Sequence, residues 1–518
     1  MKHRNWLKAA AAALAAAMVL AGCSSTPSSS SGGSNSSSGN SSGETQGVDT
    51  SEKVDLVFYL LYEAPTDTAP LEEASKLLEE KCNASVEFKY TGLEGQAYQL
   101  LFTSGEEFDL VYVGTDNYSK LAKDGALVDL KDMLETYAPQ TMERTSEDMW
   151  KSATINGGIY AVPCRFTEYI PTSIVYRGDL LEKYGMDEID SLEDLEEYFD
   201  NVLANEDMTP FTPYPGWQGY YMQDMFLGLT DGWLPMEMVG MGGIQVACES
   251  KDNPKEIFYP AFTDEFVDFA KRMKEWNDKG YWQKDILSLE ADPATEFMAG
   301  KTAAYFNHTQ GYIGTYSDLI REQPDSDPRI YTFAEGNQKI YKNSTMANST
   351  AISITSKNPE RALYALDFMM NDKEINQLLL YGVEDVNYAL DENGKLTKPD
   401  NYDEAAHGYS FANWNLRVDE NLIPAATDFP GGTAIYEEYG EFSFIHPYDA
   451  FVFDNTNVSN QITACTQVNS QLGQQILFGK VDDPEAAVEE YRQQLKTAGI
   501  DQILEEVRAQ VEDYTPIQ

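Results

Sequence analysis

Apolar and polar positions along the chain set up a strand–helix alternation that starts near residue 54. Val54-Asp-Leu-Val-Phe-Tyr-Leu60 is an apolar run of strand length, rich in β-formers. Leu71, Ala74, Leu77 and Leu78 recur at helical spacing up to Cys82. Ser85–Tyr90 then reads as a strand, Gly95–Thr103 as a helix and Phe108–Val113 as a buried strand ending at Gly114. Such alternation predicts an α/β protein whose sheets are mainly parallel and flanked by helices. Ligands of these folds sit beyond the carboxyl ends of the strands. That places Tyr62-Glu63-Ala64-Pro65 and Gly114-Thr-Asp-Asn-Tyr118 in candidate ligand loops, with Glu63, Asp116 and Asn117 as candidate contacts.

Further along, Asn156-Gly-Gly158 predicts a tight turn into a short strand. A strand from Ile174 and a short helix closed by Gly185 follow. Ser191 with Asp194 resembles a capping box with Asp in the place of Glu or Gln. Pro210 to Tyr221 reads as an aromatic-rich loop, and helices are expected at Asp264–Lys279, Pro359–Asn371, Pro484–Ala498 and Asp501–Tyr514. Asp391-Glu-Asn-Gly-Lys395 is read as a hairpin turn, since further calcium ligands are missing at the required offsets.

The first fifty residues break this pattern. Lys2, Arg4 and Lys8 precede an apolar run from Ala9 to Leu20, too short to span a bilayer and typical of an export signal. Leu20-Ala21-Gly22-Cys23 resembles a lipobox, which makes residues 1–22 a lipoprotein signal peptide and Cys23 the lipid attachment site. Residues 23–50 are dominated by Ser, Gly, Asn and Thr and are expected to act as a flexible tether. The expected location is the outer face of a cell membrane, reached through the lipid alone.

Length and charge narrow the function classes. A chain of 518 residues exceeds one hydrophobic core. A net charge of −48 disfavours nucleic acid and anionic lipid as partners. Cys82, Cys164, Cys248 and Cys465 are scattered, without C-x-x-C spacing, so a clustered zinc site is not expected; two disulfides or four buried thiols both fit. The four histidines, at positions 3, 308, 407 and 446, form no H-E-x-x-H, and no G-x-S-x-G occurs. No cofactor, no metal and no catalytic residue are expected.

Gly300-Lys301-Thr302 imitates the end of a phosphate-binding loop. However, Thr295 stands where the first glycine belongs, and the segment runs from helix to strand rather than the reverse. Gly300 is therefore expected to close a helix in the left-handed region, with Lys301 favourably placed at the dipole's negative end. Thr302–Phe306 would then run as a strand that delivers Asn307 and His308 either to a cleft or to a capped turn.

Several segments in order resemble one family. Phe297-Met-Ala-Gly-Lys-Thr-Ala-Ala-Tyr-Phe306, Ile354–Met369, Tyr176-Arg-Gly-Asp-Leu-Leu-Glu-Lys-Tyr-Gly185 and Gly158-Ile-Tyr-Ala-Val-Pro163 are similar to stretches of the lipid-anchored family 1 extracellular solute-binding proteins of bacterial ABC importers, the group that includes maltose-binding protein. Leu380–Tyr388, Gly408–Phe411 and Ala498–Leu504 resemble a large subgroup with a characteristic C-terminal extension. Arg177 and Ala304 depart from the family's usual Asn and Met.

The resemblance implies a type II periplasmic-binding-protein-like fold of two α/β lobes that close on ligand. Residues 51–163 plus 330–380 would form the first lobe, and 164–329 plus 381–518 the second with the C-terminal extension. It also implies a non-enzymatic, monomeric carrier that delivers a carbohydrate, an oligosaccharide or glycan fragment, to the permease subunits of an ABC transporter. A peptide or other solute receptor, or a surface glycosidase, are the alternatives. Sugars present apolar faces rimmed by hydroxyls, so aromatic platforms with carboxylate and amide edges are the candidates. These are Arg165 and Glu168 (which could instead pair with each other), Trp217, Tyr221, Asn307, His308, Asn348 and Trp414, besides Glu63, Asp116 and Asn117.

Overall fold

The computed structural model describes residues 48–517 except 62, 93–94, 217–218, 244, 410–413, 450 and 513, and leaves the side chains of 95–97, 99 and 116 undescribed. The export signal, Cys23, nearly all of the tether, Trp217 and the end of the Gly408–Phe411 motif lie outside the described residues. Among the described residues no helix is long and apolar enough to cross a membrane.

The apolar interior divides into two large cores. One draws on Leu56, Phe58, Leu110, Val113, Ala351, Leu366 and Leu379, with Leu416 and Val418 reaching in from the C-terminal part. The other runs from Ile174 through Phe211, Met225, Trp276 and Phe306 to Tyr448, Tyr491 and Val507. The four cysteines are buried thiols, and burial raises that of Cys82 to about 11.

Around the first core, strands Val54–Leu60, Ala84–Tyr90 and Leu110–Val113 pair in parallel, with Val54–Leu60 in the middle. Helix Ala69–Cys82 makes the crossover between the first two, as parallel pairing requires. Ser349–Ile352 then inserts antiparallel between Leu110–Val113 and Ala161–Pro163. All four of its residues are buried. The sheet is therefore mixed, and its last strand arrives after the chain has built much of the second lobe.

In the second lobe, Thr172–Arg177 is the central strand, antiparallel to both Ala304–His308 and Pro328–Thr332. Its two neighbours are thus parallel to each other and are joined by helix Thr309–Glu322. The mainly parallel ladder expected from the pattern is limited here to bridges Thr209–Thr302 and Thr212–Tyr305 at the edge. The central strand precedes both neighbours in the chain and runs opposite in direction to the two strands that the helix links.

Local signals account for many element ends. Gly300, at φ +69°, follows helix Pro293–Met298, and Lys301 pairs with Glu296 at 2.9 Å. The Ser191 hydroxyl accepts the Asp194 amide at 3.2 Å, while Asp194 takes the Ser191 hydroxyl proton at 2.6 Å. Asn156 and Gly157 both adopt positive φ between strands Thr154–Ile155 and Gly158–Ile159. Ala389–Leu390 pairs with Leu396–Thr397 around the Asp391–Lys395 turn.

Candidate functional site

A cavity of about 360 Å³ opens where the two cores face each other, within the range of about 300–1,000 Å³ common for small-molecule sites. The first core contributes Thr115, Tyr118 and Ser119 from helix Thr115–Lys123, together with Ser152 and Ile155. The second contributes Tyr220, Asp224, Leu227, Trp233 and Glu237. Three connecting stretches add to the wall: Ile170–Thr172, residues between Lys339 and Met346, and His446 with Tyr448, Asp449, Phe451 and Val452.

Helix Tyr220–Leu229 organises the polar side of this cavity. Residues four apart share a helix face, which puts Tyr220 and Asp224 together on the cavity wall. Tyr221, one position on, turns inward and stacks on Phe306 at 5.7 Å. Tyr220 donates its phenol proton to Glu237 at 2.8 Å, and the Thr172 hydroxyl donates to Asp224 at 3.0 Å. The second carboxyl oxygen of Asp224 is buried without a hydrogen-bond partner.

Two carboxyls sharing a poorly hydrated wall cannot both ionise freely. Burial, and then the charge of Glu237, push Asp224 up to about 8. Burial also raises Glu237, although this residue keeps exposed surface of its own. The phenols of Tyr220 and Tyr341 are raised well above their ordinary value, chiefly by burial.

Basic groups on the wall are subdued by the same effect. Burial lowers Lys339 to about 8, and its ammonium donates to the Leu227 carbonyl and, at 3.4 Å, to the Thr230 hydroxyl. His446 is held neutral, pushed down to about 4 by burial. Its Nδ1 accepts the Tyr448 amide at 3.1 Å, so its proton resides on Nε2. Asp449, on the same connection, is raised by burial. The wall thus combines flat rings (Trp233, Tyr220, Tyr341), carboxyl edges and hydroxyls, a lining that can grip a polar ligand with apolar faces.

Among the described residues, none of those singled out from sequence lines this cavity. Glu63 is exposed and is not among the lining residues. The side chain of Asp116 and all of Trp217 fall outside the described residues. Asn117 folds back to accept the Gly114 amide at 3.0 Å, capping the helix that carries Thr115. Asn348 is buried and accepts the Tyr112 phenol proton at 2.9 Å. Asn307 accepts the His308 amide at 2.9 Å, and His308 Nδ1 caps helix Thr309–Glu322 by accepting the Gly311 amide at 3.0 Å.

Arg165, Glu168 and Trp414 instead gather around Arg417, a residue the sequence reading passed over. The Arg417 guanidinium lies 3.8 Å from the Phe166 ring centre and 5.5 Å from that of Trp414. Glu168 approaches Arg417 at 3.9 Å and accepts from Asn343, itself a cavity residue, at 2.7 Å. Arg165 does not pair with Glu168; it is buried, bonded to Asn371 at 2.9 Å and paired with Glu420 at 2.7 Å.

The cavity residues missed from sequence share a cause. Reading Pro210–Tyr221 as loop conceals that a helix starts at Tyr220, and with it the Tyr220–Asp224 spacing. Glu237 sits in a three-residue turn, and Lys339 and His446 in irregular chain, where no periodicity exists to be read.

Known proteins resemble the chain over nearly all of its described length. Residues 63–375 match the family described as bacterial extracellular solute-binding protein. Residues 447–516, which include Tyr448, Asp449 and Phe451 of the cavity wall, match a domain of unknown function, DUF3502. A carbohydrate ABC transporter substrate-binding protein of Streptococcus pneumoniae serotype 4 is 24% identical, covering 92% of this chain and 94% of its own. The crystal structure of the N-glycan transport solute binding protein NgtS from Streptococcus pneumoniae superposes with a TM-score of 0.74 at 22% identity, over 89% of this chain and 99% of that one. The same protein in complex with Man5GlcNAc gives a TM-score of 0.60 at 22% identity, over 88% and 98% of the two chains.

Proposed function

The chain belongs to the family of bacterial extracellular solute-binding proteins, and on that premise we propose that it captures an oligosaccharide in the cavity between its two cores and hands it to the permease of an ABC transporter. The observation that carries this reading is the cavity wall itself: rings of Trp233, Tyr220 and Tyr341 beside the carboxyls of Asp224 and Glu237. Aromatic faces suit the C–H faces of sugars, and carboxyl edges accept their hydroxyls. The carbohydrate-binding names of the relatives point the same way.

The protein acts as a monomeric carrier, without chemistry on the ligand. Its two lobes, about residues 51–163 with 330–380 and 164–329 with 381–518, close on the sugar and together present a surface to the permease. Lipid on Cys23 holds it at the outer face of the membrane. Asp116 and Trp217 are kept as ligand contacts, and the Arg417 group with Arg165, Glu168 and Trp414 sets how the lobes meet.

Thermal-shift screening of the purified chain against oligosaccharides and peptides tests this. A ligand at a hundred times its Kd should stabilise it by about 2.7 kcal/mol. Stabilisation by peptides alone would replace the sugar with another solute, and release of shortened glycans on incubation would make the protein a surface glycosidase. Fatty-acid labelling should vanish in Cys23→Ser.

A further inference from the structure

We propose that the Tyr220–Asp224–Glu237 corner makes the cavity selective by charge, admitting neutral and amino-bearing glycans and rejecting glycans that carry carboxylates, such as uronate chains. This rests on the carbohydrate reading and specifies the class of glycan.

The argument begins with what faces the corner. Asp224 and Glu237 stand on separate elements, the helix Tyr220–Leu229 and the turn Glu237–Val239, and converge on Tyr220. Among the described residues neither carboxyl takes part in an ion pair, unlike Glu168 or Glu420, which have arginine partners. Thr172 supplies Asp224 with a neutral hydroxyl donor, and Tyr220 supplies Glu237 with a phenol.

The other titratable groups on the cavity wall do not cancel this acidity. Tyr341 and Tyr448 are neutral phenols, and His446 is neutral because it is buried. Asp449 adds a third carboxyl. The Lys339 ammonium is already committed to the Leu227 carbonyl and the Thr230 hydroxyl. Lys342 lies on the connecting strand Tyr341–Lys342 and is exposed, where water screens its charge.

An incoming ligand meets the Asp224 carboxyl, one oxygen of which is buried without a hydrogen-bond partner. An ammonium or hydroxyl group can donate to this carboxyl. A carboxylate there has no proton to donate and, once Asp224 is ionised, adds a like charge beside it. Because Asp224 loses its proton only near pH 8, the rejection should strengthen as pH rises through that value.

Calorimetric titration of the purified chain with a neutral manno-oligosaccharide, a chitosan oligosaccharide and an oligogalacturonate of equal length tests the proposal. At pH 9 the neutral and amino-bearing chains should bind at least about tenfold more tightly than the uronate, and the gap should narrow at pH 7, where Asp224 holds its proton. Asp224→Asn and Glu237→Gln, singly and together, keep side-chain size and should narrow it, with circular dichroism and ligand-free melting confirming the fold. Oligogalacturonate binding as tightly as the neutral chain, or a gap untouched in the double variant, would overturn the charge selection while leaving a carbohydrate carrier. Absence of binding by all three glycans would remove the carbohydrate reading and this inference with it.

Discussion

A single titrating side chain here changes the stability of the fold with a sign set by where its pKa moves. Asp224 is raised to about 8 in the folded chain, so between about pH 4 and 8 the folded state holds more protons than the unfolded one. Stability on this account falls as pH rises through that window. Asp224→Asn should therefore gain on the natural chain steadily from pH 5 to pH 8, read from denaturant midpoints. His446 acts in the opposite sense: lowered to about 4, it contributes stability that is complete above about pH 6.5 and is lost as pH falls toward 4. His446→Gln should flatten that acid limb of the melting curve. Gly300 makes a backbone prediction. A Cβ there would sit at φ +69° and 3.2 Å from the Gln323 amide, which itself holds the Met298 carbonyl. Gly300→Ala should cost about 1–2 kcal/mol in urea unfolding. The role of Gly300 as a helix stop was legible in the sequence because left-handed closure after a helix has a compositional signature. The unusual state of Asp224 was not, because it comes from a neighbour thirteen positions away and from walls built by three other segments.

At the level of elements, Arg361 on helix Pro359–Asn371 acts as a clip. Its guanidinium donates to the carbonyls of Cys82, Asn83 at 2.9 Å, Asp49 at 3.0 Å and Glu52 at 3.1 Å. It thereby joins the end of helix Ala69–Cys82 to the approach of strand Val54–Leu60. Arg361→Ala should lose about 2–3 kcal/mol, since carbonyls aimed at a charged donor would be left unsatisfied. Arg361→Lys should recover only part, because an ammonium cannot fork to four acceptors. Chemical denaturation of the three proteins checks both. The elements themselves were largely readable: strand Val54–Leu60 and helices Asp264–Lys279, Pro359–Asn371 and Pro484–Ala498 end where caps, prolines and glycines mark them. Pairing partners were not, since the insertion of Ser349–Ile352 between two distant strands leaves no local trace. The Arg417 cluster was half legible: Arg165, Glu168 and Trp414 stood out as polar or aromatic candidates, yet Arg417, which gathers them, did not.

For the whole molecule, the position of Ser349–Ile352 governs when the protein can become itself. The strand fills the slot between Leu110–Val113 and Ala161–Pro163, and all four of its residues are buried there. Until that late segment has been made, the early sheet has an open seam flanked by apolar backbone, and pairing across so long a loop is slow. A chain ending at residue 345 should therefore lack a cooperative unfolding transition for its first core and bind hydrophobic dyes, whereas the full chain should not. A newly made chain therefore cannot close its first sheet until about two-thirds of its 518 residues have been made, and it stays open to threading for at least that long.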